Sequence, residues 1–165
     1  VNKDLGQSFH ILENVIFLKK TALFSSMRTA ELKAVAAIAE ELSLKPGQEI
    51  VREGDIGDSM YLIRQGTVRI LKKIDGEESI PLAQLSEGDC FGEMAIFDAE
   101  TRSASVYTKD SCVLLRVSSD DMIDVMLENP TIAIELLRIF VGRLRHANGT
   151  IQQLAMQKNN GGNRL

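Results

Sequence analysis

A chain of 165 residues, 44% hydrophobic and 25% charged, has the length of one ordinary domain and the composition of a core-forming protein, which excludes a wholly disordered chain and a second catalytic domain. Nineteen Lys+Arg against 23 Asp+Glu leave a formal charge of −4, so no overall basic field draws it to nucleic acid or anionic lipid. Cys90 and Cys112, with no C-x-x-C spacing and no histidine nearby, give neither a disulfide framework nor a zinc site, and the expected setting is cytoplasmic. No apolar run approaches the roughly 18 residues of a membrane span, and no signal peptide is recognisable at the start. The start at Val1 and the polar stretch 158–165 are read as the edges of a longer protein, with 158–165 a disordered tail.

In chain order, Phe9 to Lys20 carries Leu12, Val15, Ile16 and Lys19 at helical spacing. Thr29 can cap a second helix whose stripe of Leu32, Val35, Ala36, Ile38 and Ala39 ends before Pro46-Gly47. Glycines then crowd together, at 47, 54, 57, 66, 76, 88 and 92, and the runs between them are short and apolar or alternating. Glu49 to Arg52, Ser59 to Arg64, Thr67 to Lys72, Ser79 to Leu85, Ser103 to Tyr107 and Cys112 to Val117 read as strands. Val68 and Ile70 share one face and Arg69 and Leu71 the other, and Asp75-Gly76 suits a hairpin turn. Close-set strands with glycine turns indicate an all-β barrel or a double-sheet roll. Ser118 or Ser119, followed by Asp120 and Asp121, opens a short helix that Asn129-Pro130 stops. Pro130 opens a long one in which Ala133, Leu137, Phe140, Leu144, Ala147, Ile151 and Leu154 form a heptad seam. The seam fits either a helix laid across the barrel mouth or a homodimer. Ala147 is a weak knob, and Gly149 costs roughly 1 kcal/mol inside a helix.

The chemistry concentrates in Phe91-Gly92-Glu93-Met94-Ala95-Ile96-Phe97-Asp98-Ala99-Glu100-Thr101-Arg102-Ser103. Its middle suits one helical turn whose free N–H groups attract an anion, and Gly92 allows close backbone approach. Arg102 can offer a planar guanidinium to one phosphate and Ser103 a hydroxyl. Glu93 would repel that phosphate unless a sugar hydroxyl engages it. The plain alternative is a surface ion pair between Glu93 and Arg102.

This segment resembles the phosphate-binding cassette of cyclic nucleotide-binding domains, the family of bacterial catabolite activators and of kinase regulatory subunits, which in many members also place eight residues between the glutamate and the arginine. Glu53-Gly54-Asp55-Ile56-Gly57-Asp58-Ser59-Met60-Tyr61-Leu62-Ile63-Arg64-Gln65-Gly66 is similar to the family's glycine-turned strand pair. The resemblance implies an eight-stranded β-roll (jelly-roll type) at about 42–117. An N-terminal helical bundle would precede it, and hinge and lid helices would follow at about 119–157. Residues 1–21 would be an N-terminal helix or linker and 22–157 the cyclic nucleotide-binding domain. By the same resemblance Arg102 binds the exocyclic phosphate oxygens and Glu93 the ribose 2′-hydroxyl. Gly92, Met94 and Ala95 contribute backbone or packing, and Ser103 follows the arginine. Thr101 stands where many relatives have proline, which leaves the turn less preorganised. Serine at 103 leaves the choice of purine open, with cyclic AMP the default over cyclic GMP. Arg145 or Asn148 would reach the base from the last helix, or would simply be solvated there.

The expected function is therefore a non-enzymatic cyclic nucleotide sensor that signals through its C-terminal helices to an output domain absent from this chain. Met94, Ile96 and Phe97 of the cassette and Met122, Ile123 and Met126 of the hinge would repack as it closes. The alternatives are a ligand-free domain of the same fold serving as a dimerisation or docking module, and the sensor half of a transcription regulator. His10 and His146 lie outside the strands, so a cupin-type metal site lacks its ligands, and no nucleophile has a neighbouring base. No catalytic residue, metal or cofactor is expected. The segment Ile11 to Lys20 also looks like the lead-in of sensor domains appended to the C-terminal end of larger proteins.

Overall fold

The computed structural model describes residues 2–74, 78–98 and 100–161. Two helices lead in, α1 (Asn2–Lys20) and α2 (Thr29–Ile38). Eight strands follow: β1 (Glu40–Leu44), β2 (Glu49–Val51), β3 (Ser59–Gln65), β4 (Val68–Ile74), β5 (Glu78–Leu85), β6 (Cys90–Phe91), β7 (Ser105–Thr108) and β8 (Cys112–Ser118). A 3-10 helix (Glu93–Ile96) lies between β6 and β7, and α3 (Ser119–Glu128) and α4 (Pro130–Gly161) close the chain. The strands form two antiparallel four-stranded sheets, ordered β1-β8-β3-β6 and β2-β7-β4-β5. This is the β-roll with flanking helices that the sequence predicts.

The central strands β3 and β8 bury both faces, because the chain alternates between two cores. Met60, Leu62, Leu115 and Val117 face the helices, where they meet Leu18, Phe24, Met27, Leu32, Met122 and Ile132. Tyr61, Ile63, Cys112 and Leu114 face the interior of the roll with Val68, Phe91 and Val106. The helices are thus fastened to the back of the sheet whose β3 and β6 border the cassette.

Several local expectations are corrected. The stripe on α1 is displaced: Asn14, Val15, Phe17 and Leu18 are buried, whereas Leu12 and Ile16 are half exposed, because the helix packs along its 15/18 face. Helix α2 ends at Ile38, Ala39 turns extended, and Glu40–Leu44 forms a strand whose Leu42 and Leu44 reach the inner core. The Asp75-Gly76 turn lies outside the described residues. The alternation of Val68 to Leu71 does hold, in unbroken register against β7 and with Val68 and Ile70 in the inner core; the shift opposite Ile70 and Leu71 places its extra residue, Leu82, in β5. On α4 the apolar surface is out of phase with the expected seam. Phe140 packs edge-on against Phe97, with ring centroids 5.6 Å apart, and the exposed stripe is Ile134, Leu137, Val141 and Leu144. The side chains of Ala147, Ile151 and Leu154 lie outside the described residues.

Arg28, rather than Thr29, occupies the N-cap of α2. Glu31 reaches back to accept hydrogen bonds from the Arg28 N–H at 2.8 Å and from its guanidinium at 2.7 Å. These bonds, the guanidinium first, hold the buried Glu31 carboxyl at a pKa of about 2, against an ordinary 4.5. A depressed carboxyl stabilises the fold above its unfolded value and loses that contribution as the pH falls through the folded one. Glu31→Gln should therefore lower the melting temperature at pH 7, by a cap interaction of roughly 0.5–2 kcal/mol. In thermal melts its gap from the unaltered chain should narrow as the pH drops from 4.5 toward about 2. A constant gap would mean that the charge of Glu31 contributes nothing.

Candidate functional site

Strand β6 delivers the chain to Gly92, whose φ of +72° is the left-handed conformation that favours glycine. Space demands glycine there as well, since a Cβ would lie 2.5 Å from Nη1 of Arg102 and 3.1 Å from the Ser59 carbonyl. The chain then makes the single 3-10 turn Glu93–Ile96, with Ala95 and Ile96 buried and Met94 exposed. It returns toward β7 through Thr101 and Arg102.

The return is held by backbone. Arg102 N–H donates to the Asp55 carbonyl at 2.7 Å, and the Arg102 carbonyl accepts from Gly54 N–H at 2.9 Å. Gly57 N–H donates to Glu100 at 3.2 Å, and Ile56 and Thr101 form an antiparallel bridge. The bonds that flank Thr101 come from Gly57 and Arg102, so the 53–58 turn fixes this segment with threonine in place of proline.

The guanidinium of Arg102 is half-buried. Nη2 donates to the Ser59 carbonyl at 2.7 Å, Nη1 reaches the Gly92 carbonyl at 3.5 Å, and Cζ sits 6.0 Å from the Tyr61 ring centroid. Tyr61 is itself stacked on Phe91 at 5.1 Å. A Cβ on Gly57 would come within 2.9 Å of Ala95 Cβ and 3.3 Å of the guanidinium, so this glycine also shapes the slot. Among the described residues no carboxylate pairs with Arg102; its bonds go to neutral carbonyls, which leaves its charge available to an anion.

Glu93 is therefore not the ion-pair partner of Arg102. Its Oε1 lies 3.2 Å from Nη1 of Arg143 on α4, a residue the sequence reading passed over. The sign was there: the buried positions Ile132 and Leu136 continue through Ile139 and Phe140 to position 143 at helical spacing. Arg145 and Asn148 are exposed on α4 and do not line the cavity.

Gly92, Glu93, Met94, Ala95, Arg102 and Ser103 all line one cavity of about 610 Å³. Its inner wall is apolar, with Val51, Ile70, Leu85 and Val106 from the four strands of the β2-β7-β4-β5 sheet. Cys90 also borders it, its thiol pushed above the ordinary value by burial, which makes it a neutral wall. The volume falls within the roughly 300–1,000 Å³ of small-molecule sites, and an apolar wall facing one cation suits a flat ring that carries an anion. Among the described residues no group of His, Cys, Asp and Glu could hold a metal ion.

A β-roll in which a one-turn cassette and an arginine close an apolar cavity defines a class, and the family model "Cyclic nucleotide-binding domain" matches residues 41–129. The chain belongs to that family. It is similar to the cyclic AMP receptor protein of Thermus thermophilus, at 28% identity over 86% of this chain and 65% of that protein. Among solved structures it is similar to the N-terminal domain of a transcriptional regulator from Streptomyces coelicolor A3(2), with a TM-score of 0.74 and 26% identity over 82% of this chain and 94% of that one. It is also similar to the regulatory domain of Toxoplasma gondii PKA in co-crystal with cAMP, with a TM-score of 0.68 and 26% identity over 72% of this chain and 46% of that one. The chain thus spans just under two thirds of the Thermus relative. No described helix is long and apolar enough to cross a membrane.

Proposed function

We propose that this domain is a non-catalytic sensor that binds cyclic AMP in preference to cyclic GMP and reports it through α3 and α4 to a further domain. The reading rests above all on the cavity, where five other cassette residues gather around an arginine bonded only to neutral carbonyls. The phosphate would take Arg102 and the hydroxyl of Ser103, the ribose would engage Glu93, and the purine would lie against the apolar wall. The preference for cyclic AMP follows the relatives named for it, the Thermus receptor and the Toxoplasma regulatory domain.

Three contacts couple the cassette to the helices. Ser119, the first residue of α3, donates its hydroxyl to the Ala95 carbonyl at 2.7 Å. Phe97 meets Phe140, and Glu93 meets Arg143, both on α4. Ligand that draws Glu93 and Ala95 inward acts directly on these contacts, and it shifts the helices by as much as it binds one arrangement better than the other.

The exposed stripe on α4 favours a parallel homodimer. Ile134 and Val141 fall at a positions and Leu137 and Leu144 at d, the β-branched and leucine pattern of two-stranded coiled coils. Asn148 comes next at a, where a polar residue sets register. Titration calorimetry with cyclic AMP and cyclic GMP tests the binding reading. Heat of binding is expected with cyclic AMP and less affinity for cyclic GMP; no heat with either would leave the docking module as the function.

A further inference from the structure

Lys72 lies on β4 and outside the cavity lining, yet its ammonium reaches the exit of the cassette. Nζ donates to the backbone carbonyl of Ser103 at 2.6 Å and to Oε1 of Glu53 at 2.7 Å. Oε2 of Glu53 accepts from Lys73 N–H at 2.9 Å, and Glu53 N–H donates to Oγ of Ser105 at 2.9 Å. One ion pair thereby fastens three segments together: β4, the turn that starts at Glu53, and residues 103–105.

Two of these segments adjoin Arg102, and β4 ties them together through Lys72. Gly54 and Asp55, next after Glu53, grip the Arg102 backbone from both sides, and Ser103 and Ser105 follow it in the chain. Ser103 is exposed and precedes β7, so no strand ladder fixes its carbonyl. The ammonium does so instead, through a charge-assisted bond that is shorter and stronger than a neutral one. An exposed ion pair contributes little by itself, but here its cation also orients the peptide that joins Ser103 to Ala104. The Glu53 carboxyl is held below its ordinary value, first by Lys72, and stays ionised as the counter-ion.

We propose that Lys72 is a positioning residue for the anion site, setting the direction of the Ser103–Ala104 peptide and with it the Ser103 hydroxyl offered to a phosphate. The proposal rests on the cyclic nucleotide reading. Lysine is required for its donor, so arginine substitutes in part and methionine, equally long and neutral, does not.

The test is titration of the unaltered chain, Lys72→Met, Lys72→Arg, Ser103→Ala and the Lys72→Met/Ser103→Ala pair with cyclic AMP, or with cyclic GMP if cyclic AMP gives no heat. Thermal melts of each variant accompany it. Lys72→Met is expected to raise Kd about 5- to 30-fold with a melting temperature close to that of the unaltered chain, and Lys72→Arg to recover most of the loss. The costs of Lys72→Met and Ser103→Ala should fail to multiply, since the first change already frees the hydroxyl. Binding by Lys72→Met within twofold of the unaltered chain, or fully multiplicative costs, would overturn the role of Lys72 and leave the nucleotide reading intact. No binding by the unaltered chain would overturn that reading, and this proposal with it.

Discussion

Arg102→Leu is expected to bind cyclic AMP about 30- to 3,000-fold more weakly than the unaltered chain, the 2–5 kcal/mol typical of removing one partner from a buried charged contact. The size of the effect follows from the absence of a substitute. Among the lining residues Arg102 is the one cation, and the carboxylates of Glu93, Asp98 and Glu100 border the same cavity. Without the guanidinium, an incoming phosphate meets those carboxylates with no cation in the lining to offset them. The fold should survive, because the backbone bonds of Arg102 to Gly54 and Asp55 do not depend on its side chain. Calorimetry paired with a melting curve separates the two effects. Undiminished binding by a folded Arg102→Leu chain would remove Arg102 from the site and the cassette assignment with it.

The second large effect is expected at α4. Leu137 and Leu144 are 63% and 62% exposed, which is costly for a monomer and natural for a helix that pairs. Each leucine buried across a seam contributes about 1.5–3 kcal/mol, and a two-stranded seam buries four of them. Leu137→Asp with Leu144→Asp should raise the dimer dissociation constant by at least about a thousandfold. Sedimentation velocity should then find the variant at the 18.2 kDa of one chain under conditions where the unaltered chain is a dimer. If the variant remains dimeric, the interface lies elsewhere. The seam is independent of Phe140, which the cassette occupies through Phe97, so nucleotide binding to the monomeric variant remains measurable.

The roll was legible because its signals are local. Alternation from Val68 to Leu71 and the glycines between strands mark its turns and faces. The cassette was legible through its own spacing, with Gly92, Glu93 and Arg102 within one short stretch. Strand β1 escaped because Glu-Glu-Leu-Ser-Leu carries only two apolar residues and continues from a helical stripe. Strand β6 is two residues long, below any periodicity. The floor of the site was hidden for a different reason: Arg102 rests on a backbone carbonyl of Ser59, an atom that every residue has and no motif marks. Arg143 was hidden by distance, since fifty residues separate it from Glu93. The phase of α4 went wrong at Phe140 because a 3-4 pattern of apolar residues supports two overlapping stripes. Only the position of the cassette decides which one is covered.

The contact between Glu93 and Arg143 has a mechanical consequence. Helix α4 starts at Pro130, just after the non-helical Asn129, and runs to Gly161. At 1.5 Å per residue, Arg143 sits about 20 Å from that pivot and the far end about 46 Å. Were it to turn about Asn129 as a rigid rod, the helix would multiply any displacement imposed at Arg143 by about 2.4 at its tip. On the proposed coupling, a movement of the cassette no larger than one bond length would be delivered, at the end of α4, as a shift wider than the diameter of a water molecule.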